Sequence, residues 1–336
     1  MGDVYSTGKI SIRYLVKVGD GLTYNLRVSV NGEDVQPEFP AGTAKGVKVA
    51  VGNELTINVP RKTDQVCNIA MWVVDSEGTL GEPQKIRLSY VGEKPKPRLH
   101  LFAVGVSDYP AKDLNSLSYA SKDAKDFINI IKASNTDIYS EVLSTTILDK
   151  NASRYGVLSG LKSLLSTVDQ GDVVMVYFSG HGVKDGEQVY YMTHDASAAE
   201  CFRGVEFSTI KSSLKSLTED KKCHVALFMD TCYSGAMWGL KGSTQEFSMT
   251  LPGLIGFYSS APNQQSAEIE KVQNGAFTHV LLEGLKGAAK NKEGEITTNS
   301  LESYIKTGVK KLLGNNQQDP IVENMLGEAV LFKVKK

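Results

Sequence analysis

Two short apolar runs constrain this chain more than any other feature, VVMVYF at 173–178 and VALFM at 225–229. Neither alternates with polar residues, and both are too short for a buried helix. Such runs fit strands covered on both faces, as in a parallel sheet. Each stops abruptly in small residues: the first enters Ser179, Gly180, His181 and Gly182, the second Asp230, Thr231 and Cys232. Sites in open α/β sheets form beyond the carboxyl ends of the strands. If the two runs are neighbouring strands, His181 and Cys232 leave the same edge.

The surrounding sequence agrees. From Arg98 onward, apolar runs (LHLFAVGVS, EVLSTTILD, GLIGFYSS, EAVLFKV) alternate with stretches of helical period (SLSYASKDAKDFINIIKAS, ASRYGVLSGLKSLLSTV, VEFSTIKSSLKSLTED, GAFTHVLLEGLKGAAK, NSLESYIKTGVKKLL). That order predicts βαβ units and an α/β fold with a mostly parallel sheet flanked by helices. Residues 10–91 differ, because their apolar positions alternate with polar ones between Gly, Asn and Pro clusters. They predict a small all-β, immunoglobulin-like sandwich with Trp72 in its core. Pro95 and Pro97 interrupt the pattern and cannot continue a ladder. The expected division is a β domain over 1–94, a linker over 95–98 and the α/β domain over 99–336.

A net charge of −1 offers no basic excess for a phosphate backbone or anionic lipid, so nucleic acid is not an expected partner. No stretch reaches the eighteen or more apolar residues of a membrane span. The four cysteines, Cys67, Cys201, Cys223 and Cys232, form no C-x-x-C pair. Neither a zinc site nor a disulfide framework is indicated, and a reducing cytoplasm is the expected setting. His100, His194, His224 and His279 lack metal-ligand spacing and are expected at the surface or at sheet edges.

A lone cysteine after a strand is commonly a small core residue, and a lone histidine in a loop is commonly at the surface. The pairing of the two makes chemistry the stronger reading. A free thiol titrates near about 8.5, and a neighbouring imidazole can take its proton or stabilise the thiolate. Attack on a peptide carbonyl also needs donors for the developing oxyanion, which the N–H groups of Gly182 and Cys232 can supply.

YFSGHG followed by DTCYSG resembles the His and Cys motifs of the caspase-like cysteine peptidases, within the clan of caspases, clostripain and legumain. The likeness is strongest to metacaspases and bacterial caspase-domain proteins, whose Cys motif reads D-x-C-H-S-G. It runs from about residue 100 to 334 and takes in LFAVGVSDY, LSYASKDAKDF, YSSAPNQQSAE and GAFTHVLLEGL. The resemblance implies a caspase-like fold, endopeptidase activity and a Cys232–His181 dyad. One departure is Tyr233, where metacaspases commonly have His.

The resemblance also bears on specificity. Caspases that cleave after Asp need cationic groups in the S1 pocket, usually arginines. From residue 98 onward this chain has three: Arg98 in the linker, Arg154 at a helix start and Arg203 in a loop. Metacaspases instead bind a basic P1 residue, and their pocket positions correspond here to Asp123, Ser179 and Asp230. Two carboxylates at one pocket base repel unless a cation comes between them, so a substrate with Arg or Lys at P1 is expected.

No cofactor is implied by the residues themselves. Metacaspases often bind calcium after the His motif, but here that stretch offers only Asp195, Glu200 and Glu206, spread apart, whereas calcium wants several convergent oxygens. Residues 289–300 put Ala289 and Ser300 where an EF-hand needs Asp and Glu, and read as a loop between helices. The polar segment after Cys232 is long enough to be a self-cleavage loop, with Lys241 its candidate. Two other readings stand: a silent caspase-fold scaffold that binds protein partners through the N-terminal domain, and a latent zymogen.

Overall fold

A central sheet with both faces buried organises the larger part of the molecule. The computed structural model describes residues 3–17, 24–38, 49–59, 66–92, 96–134, 136–231, 250–260, 264, 266–314 and 318–334. Two units emerge, Met1–Pro95 and Lys96–Lys336.

In the first unit the strands are β1 (Asp3–Tyr5), β2 (Lys9–Lys17), β3 (Tyr24–Val30), β4 (Glu33–Val35), β5 (Val49–Asn58), β6 (Val66–Asp75) and β7 (Gln84–Tyr90). One sheet runs β1-β7-β6-β3-β4, and a second pairs β2 with β5. Val28, Val30, Cys67 and Ile69 of the first sheet meet Leu55 and Ile57 of the second in one core. All pairs are antiparallel except β1 with β7, which is parallel. Trp72, expected in this core, is only half-buried. Cys67, Ile69 and Met71 on the same strand point inward in its place, as the two-residue period requires.

The second unit contains β8 (Leu99–Gly105), α1 (Ala120–Ala133), β9 (Val142–Leu148), α2 (Arg154–Thr167), β10 (Val173–Gly180), β11 (Gly182–Asp185), β12 (Gln188–Tyr191), β13 (Val205–Glu206), α3 (Phe207–Lys215) and β14 (His224–Thr231). After these come β15 (Leu254–Tyr258), β16 (Glu268–Ile269), β17 (Asn274–Gly275), α4 (Ala276–Glu283), β18 (Glu295–Thr297), α5 (Thr298–Leu313), β19 (Ile321–Asn324) and β20 (Val330–Lys333). The central sheet runs β19-β15-β14-β10-β8-β9, parallel throughout except for the antiparallel edge strand β19.

The unbroken apolar runs now have a cause. On one face Phe102, Val176, Phe178 and Leu227 pack with Val157 and Leu161 of α2 and Ile210 and Leu214 of α3. On the other, Leu101, Met175, Tyr177 and Phe228 pack with Phe127 and Ile131 of α1, Leu281 of α4 and Ile305 of α5. Alternate residues thus enter two different cores, each fully buried large side chain contributing roughly 1.5–3 kcal/mol. Local signals set the helix starts: Ser153 accepts the Gly156 N–H ahead of α2, and Thr297 with Ser300 forms a capping box on α5.

Several expectations change. The hairpin β11–β12, with β13 beside it, follows His181 without a matching apolar run in the sequence. The last strand, β20, pairs with β18 and not with the central sheet, so the segment read as a loop between helices holds a strand. His100, expected at the surface or a sheet edge, is buried, because its Nε2 meets the carboxylate of Asp172 at 2.9 Å. Among the described residues no helix is long and apolar enough to cross a membrane.

Candidate active site

Strands β10 and β14 are adjacent and parallel, with Ser179 opposite Asp230 and Gly180 opposite Thr231. The residues that follow the two strands in sequence are His181 and Cys232. Cys232 and the segment holding Tyr233 and Lys241 lie outside the described residues. Strand order reverses between β8 and β10, so this rim is also the topological switch point of the sheet.

His181 is held on three sides. Its backbone N–H donates to the Tyr109 hydroxyl at 2.9 Å, and the two rings sit 4.9 Å apart. Its ring Nε2 lies 2.7 Å from the Asn115 carbonyl oxygen. A carbonyl only accepts, so Nε2 carries the proton and Nδ1 is the acceptor of the neutral ring. Gly180 has φ of 151°, and a Cβ there would stand 2.8 Å from the Tyr109 hydroxyl oxygen. The glycine therefore admits the tyrosine that fixes the histidine backbone.

Gly182 faces Tyr191 across the hairpin, while the Met192 N–H donates to the His181 carbonyl at 2.9 Å. That pattern makes Gly182 and Tyr191 a non-hydrogen-bonded pair, so the Gly182 N–H points away from β12.

Asp123, in the first turn of α1, and Asp230, in β14, are 2% and 6% exposed, respectively. Together with Ser179, which is also buried, they line a small cleft that includes His181, Glu268 and Gly275. A Cβ on Gly275 would lie 2.5 Å from one Asp230 oxygen and 3.2 Å from one of Asp123, so both carboxylates flank this residue. Asp123 accepts from the Asn274 amide at 2.6 Å and the Gly275 N–H at 3.0 Å, and Asp230 accepts from the Thr278 hydroxyl at 2.6 Å. Burial, and then the charge of Asp230, push the Asp123 carboxyl up to about 8 despite those donors. Burial also raises Asp230, against hydrogen bonds from Thr278, Ser266 and Ser259.

The acids considered for calcium do not converge. Asp195 accepts from the Arg154 N–H and the Thr193 hydroxyl, Glu200 pairs with Arg203, and Glu206 accepts from Ser208. Among the described residues no group of three His, Cys, Asp or Glu is placed to hold a metal ion. Cys67, Cys201 and Cys223 are buried free thiols, and burial raises each of them.

Sequence reasoning passed over Tyr109, Asn115, Asn274, Gly275 and Thr278. Tyr109 and the run from Gly275 to Thr278 stand inside stretches that carry the family resemblance, which was the available signal. Asn115 acts through its carbonyl, which every residue type has.

The family model described as Caspase domain, of the C14 peptidases, matches residues 100–331. The crystal structure of protein GSU0716 from Geobacter sulfurreducens aligns with a TM-score of 0.50 at 17% identity, covering 71% of this chain and 100% of that one. Caspase-1 from Spodoptera frugiperda aligns with a TM-score of 0.49 at 14% identity, covering 72% of this chain and 92% of that one. No curated protein matches the chain significantly. Since the family model spans well over half of the sequence, the chain belongs to the caspase-domain family of cysteine peptidases.

Proposed function

We propose that the protein is an endopeptidase that cleaves after Arg or Lys, with Cys232 as nucleophile and His181 as its base. The observation that carries this reading is the single cleft that joins His181 to Asp123, Ser179 and Asp230 at the carboxyl ends of β10 and β14. Cys232 follows Thr231 directly in sequence, and Thr231 stands opposite Gly180.

In the reaction, His181 Nδ1 takes the thiol proton while Nε2–H stays on the Asn115 carbonyl. The thiolate attacks the scissile carbonyl carbon, and the oxygen that gains the electron pair is met by the N–H groups of Gly182 and Cys232. The imidazolium then protonates the leaving amine as the C–N bond breaks, leaving a thioester on Cys232. Water, deprotonated by the same nitrogen, hydrolyses the thioester and restores the thiol. A Lys or Arg side chain entering the cleft supplies the positive charge that Asp123 and Asp230 lack, and an Asp side chain is repelled by both.

Peptides that differ only at P1, with a fluorogenic leaving group, test the assignment beside Cys232→Ala. Turnover is expected with Arg and Lys and absent with Asp, and no peptide is turned over by the variant. A wild-type preference for P1 Asp would overturn the pocket and leave the dyad standing.

Self-cleavage in the segment after Cys232, at Lys241, is part of the same reading. Mass spectrometry should find a cut between residues 233 and 252 that Cys232→Ala lacks. Buried free thiols suit a cytoplasmic setting. The two-sheet N-terminal unit is assigned as an immunoglobulin-like module for a protein partner.

A further inference from the structure

Three donors that approach Asp123 and Asp230 come from one short segment. Asn274 and Gly275 supply amide N–H groups to the two oxygens of Asp123, and Thr278, in the first turn of α4, supplies its hydroxyl to Asp230. Tyr177, fully buried in β10, places its own hydroxyl 2.6 Å from the Thr278 oxygen. Because the Thr278 hydrogen is directed to Asp230, the tyrosine must donate to Thr278. The two hydroxyls therefore form a chain with both hydrogens running toward the carboxylate, and such chains strengthen cooperatively.

None of these donors carries a charge. Around the two acids, Lys122 is bound to Asp126 on the surface of α1, and Glu268 accepts the Ser118 and Tyr119 N–H groups. His181 is engaged by Asn115. Among the described residues no ion pair reaches Asp123 or Asp230. The segment 274–278 therefore orients both carboxyl groups without supplying a counter-charge.

We propose that Thr278 and Asn274 are positioning residues for substrate selection, holding Asp230 and Asp123 in the orientation that the basic side chain of a substrate meets. The proposal rests on the basic-P1 reading above. An amide N–H cannot accept a proton, so at Asp123 the oxygen lone pairs facing Asn274 and Gly275 must stay bare. Any proton there sits on the cleft side, where an incoming cation displaces it. A hydrogen bond to a charged acceptor is among the stronger ones. Loss of the Thr278 donor is thus felt in capture of the cation and not in the chemistry at Cys232.

The test measures kcat and KM for a P1 Arg peptide from pH 5.5 to 9 in wild type, Thr278→Val, Thr278→Ser and Asn274→Ala. In Thr278→Val, KM should rise about tenfold or more at neutral pH with kcat within about threefold of wild type, and the pH midpoint of KM should move upward. Thr278→Ser should restore both, and Asn274→Ala should repeat the effect through Asp123. A KM and a pH midpoint unchanged in Thr278→Val and Asn274→Ala, whether or not melting temperature falls, would overturn the proposal. A wild type with no preference for basic P1 residues would overturn the earlier reading, an outcome visible before any variant is made.

Discussion

Two buried acid clusters stand at opposite ends of the central sheet, and they are built in opposite ways. At the amino end, Asp172 precedes β10 and accepts from the Arg98 guanidinium at 2.7 and 3.1 Å, from His100 at 2.9 Å and from the Asp169 N–H at 2.9 Å. Burial works against its ionisation, but these donors outweigh it and hold the carboxyl below its usual range. At the carboxyl end, Asp123 and Asp230 have donors of similar geometry and, among the described residues, no cation, and both are raised. An acid supplied with its own cation serves the fold. Two acids supplied with neutral donors alone are suited to receive a cation from elsewhere.

The largest expected effects break the two ends apart. Cys232→Ala or His181→Ala should lower turnover by about 10⁴-fold or more with little change in melting temperature, and the double variant should be no worse than either single one. Asp172→Ala should do the reverse. It strands buried His100, while Arg98 keeps Asp169 and the Thr167 carbonyl, and should cost about 1–3 kcal/mol of stability. Denaturant titrations beside peptide turnover check both, and a stable Asp172→Ala enzyme would remove the structural half of the comparison.

Next in size is Asp230→Ala, which takes one wall from the proposed cation pocket. Preference for P1 Arg over a neutral residue of similar size should fall by about 100-fold, because the substrate then leaves an incompletely paired charge. The free protein should lose about 1–3 kcal/mol of stability, since Thr278, Ser259 and Ser266 lose a buried acceptor, a cost partly offset by relief of the repulsion with Asp123. An unaltered ratio of kcat/KM values for the two peptides would show that Asp230 does not touch the substrate.

How much of this was legible in the sequence depended on the kind of signal. The continuous runs at 173–178 and 225–229 revealed the sheet because burial on two faces leaves no polar position, and their small-residue ends revealed the rim. The hairpin β11–β12 stayed hidden, since VKDGEQVYY has a turn but too short an alternation to stand out. Edge strand β19 was missed for the same reason, as four residues with one buried leave no periodicity. His100 was misread because one polar residue in an apolar run looks like an edge position until Asp172, 72 residues away, is seen to meet it. Asn274 and Thr278 depend likewise on partners 151 and 48 residues distant. Separations of that kind exist only in the folded chain.

The two ends should also answer pH with opposite signs. Asp172 has a lowered value in the folded state, so its contribution is complete above the usual carboxylate range and is lost as pH falls through it. Asp123, at about 8, binds its proton more tightly folded than unfolded. Its presence therefore lowers stability as pH rises from about 4 to about 8, by at most about 1.4 kcal/mol per unit. Over the same interval a basic substrate must displace that proton, so KM for P1 Arg should fall with rising pH, by up to about tenfold per unit, and level off above about 8. Asp123→Asn should flatten both profiles. A KM independent of pH from 6 to 8 in the wild type would mean that the carboxylates are already ionised when substrate arrives.

The smallest expected effect concerns metal, and it extends the comparison to a third set of acids. Asp195, Glu200 and Glu206 follow the His strand, where metacaspases bind calcium, yet each already has a partner: a cation for Glu200, as for Asp172, and neutral donors for Asp195 and Glu206. Asp195 is occupied by the Arg154 N–H at 3.0 Å and the Thr193 hydroxyl at 2.7 Å, and Glu200 by Arg203 at 3.3 Å. Calcium takes six to eight oxygens at about 2.3–2.6 Å, and gathering these carboxylates would break the bonds that start α2 and close the turn before β13. Chelator should therefore change kcat/KM by less than about twofold, and added calcium should not raise the melting temperature. A rate that collapses in chelator and returns with calcium, but not with magnesium, would mean that these acids leave their partners to form a site, and that the rim is assembled by the ion.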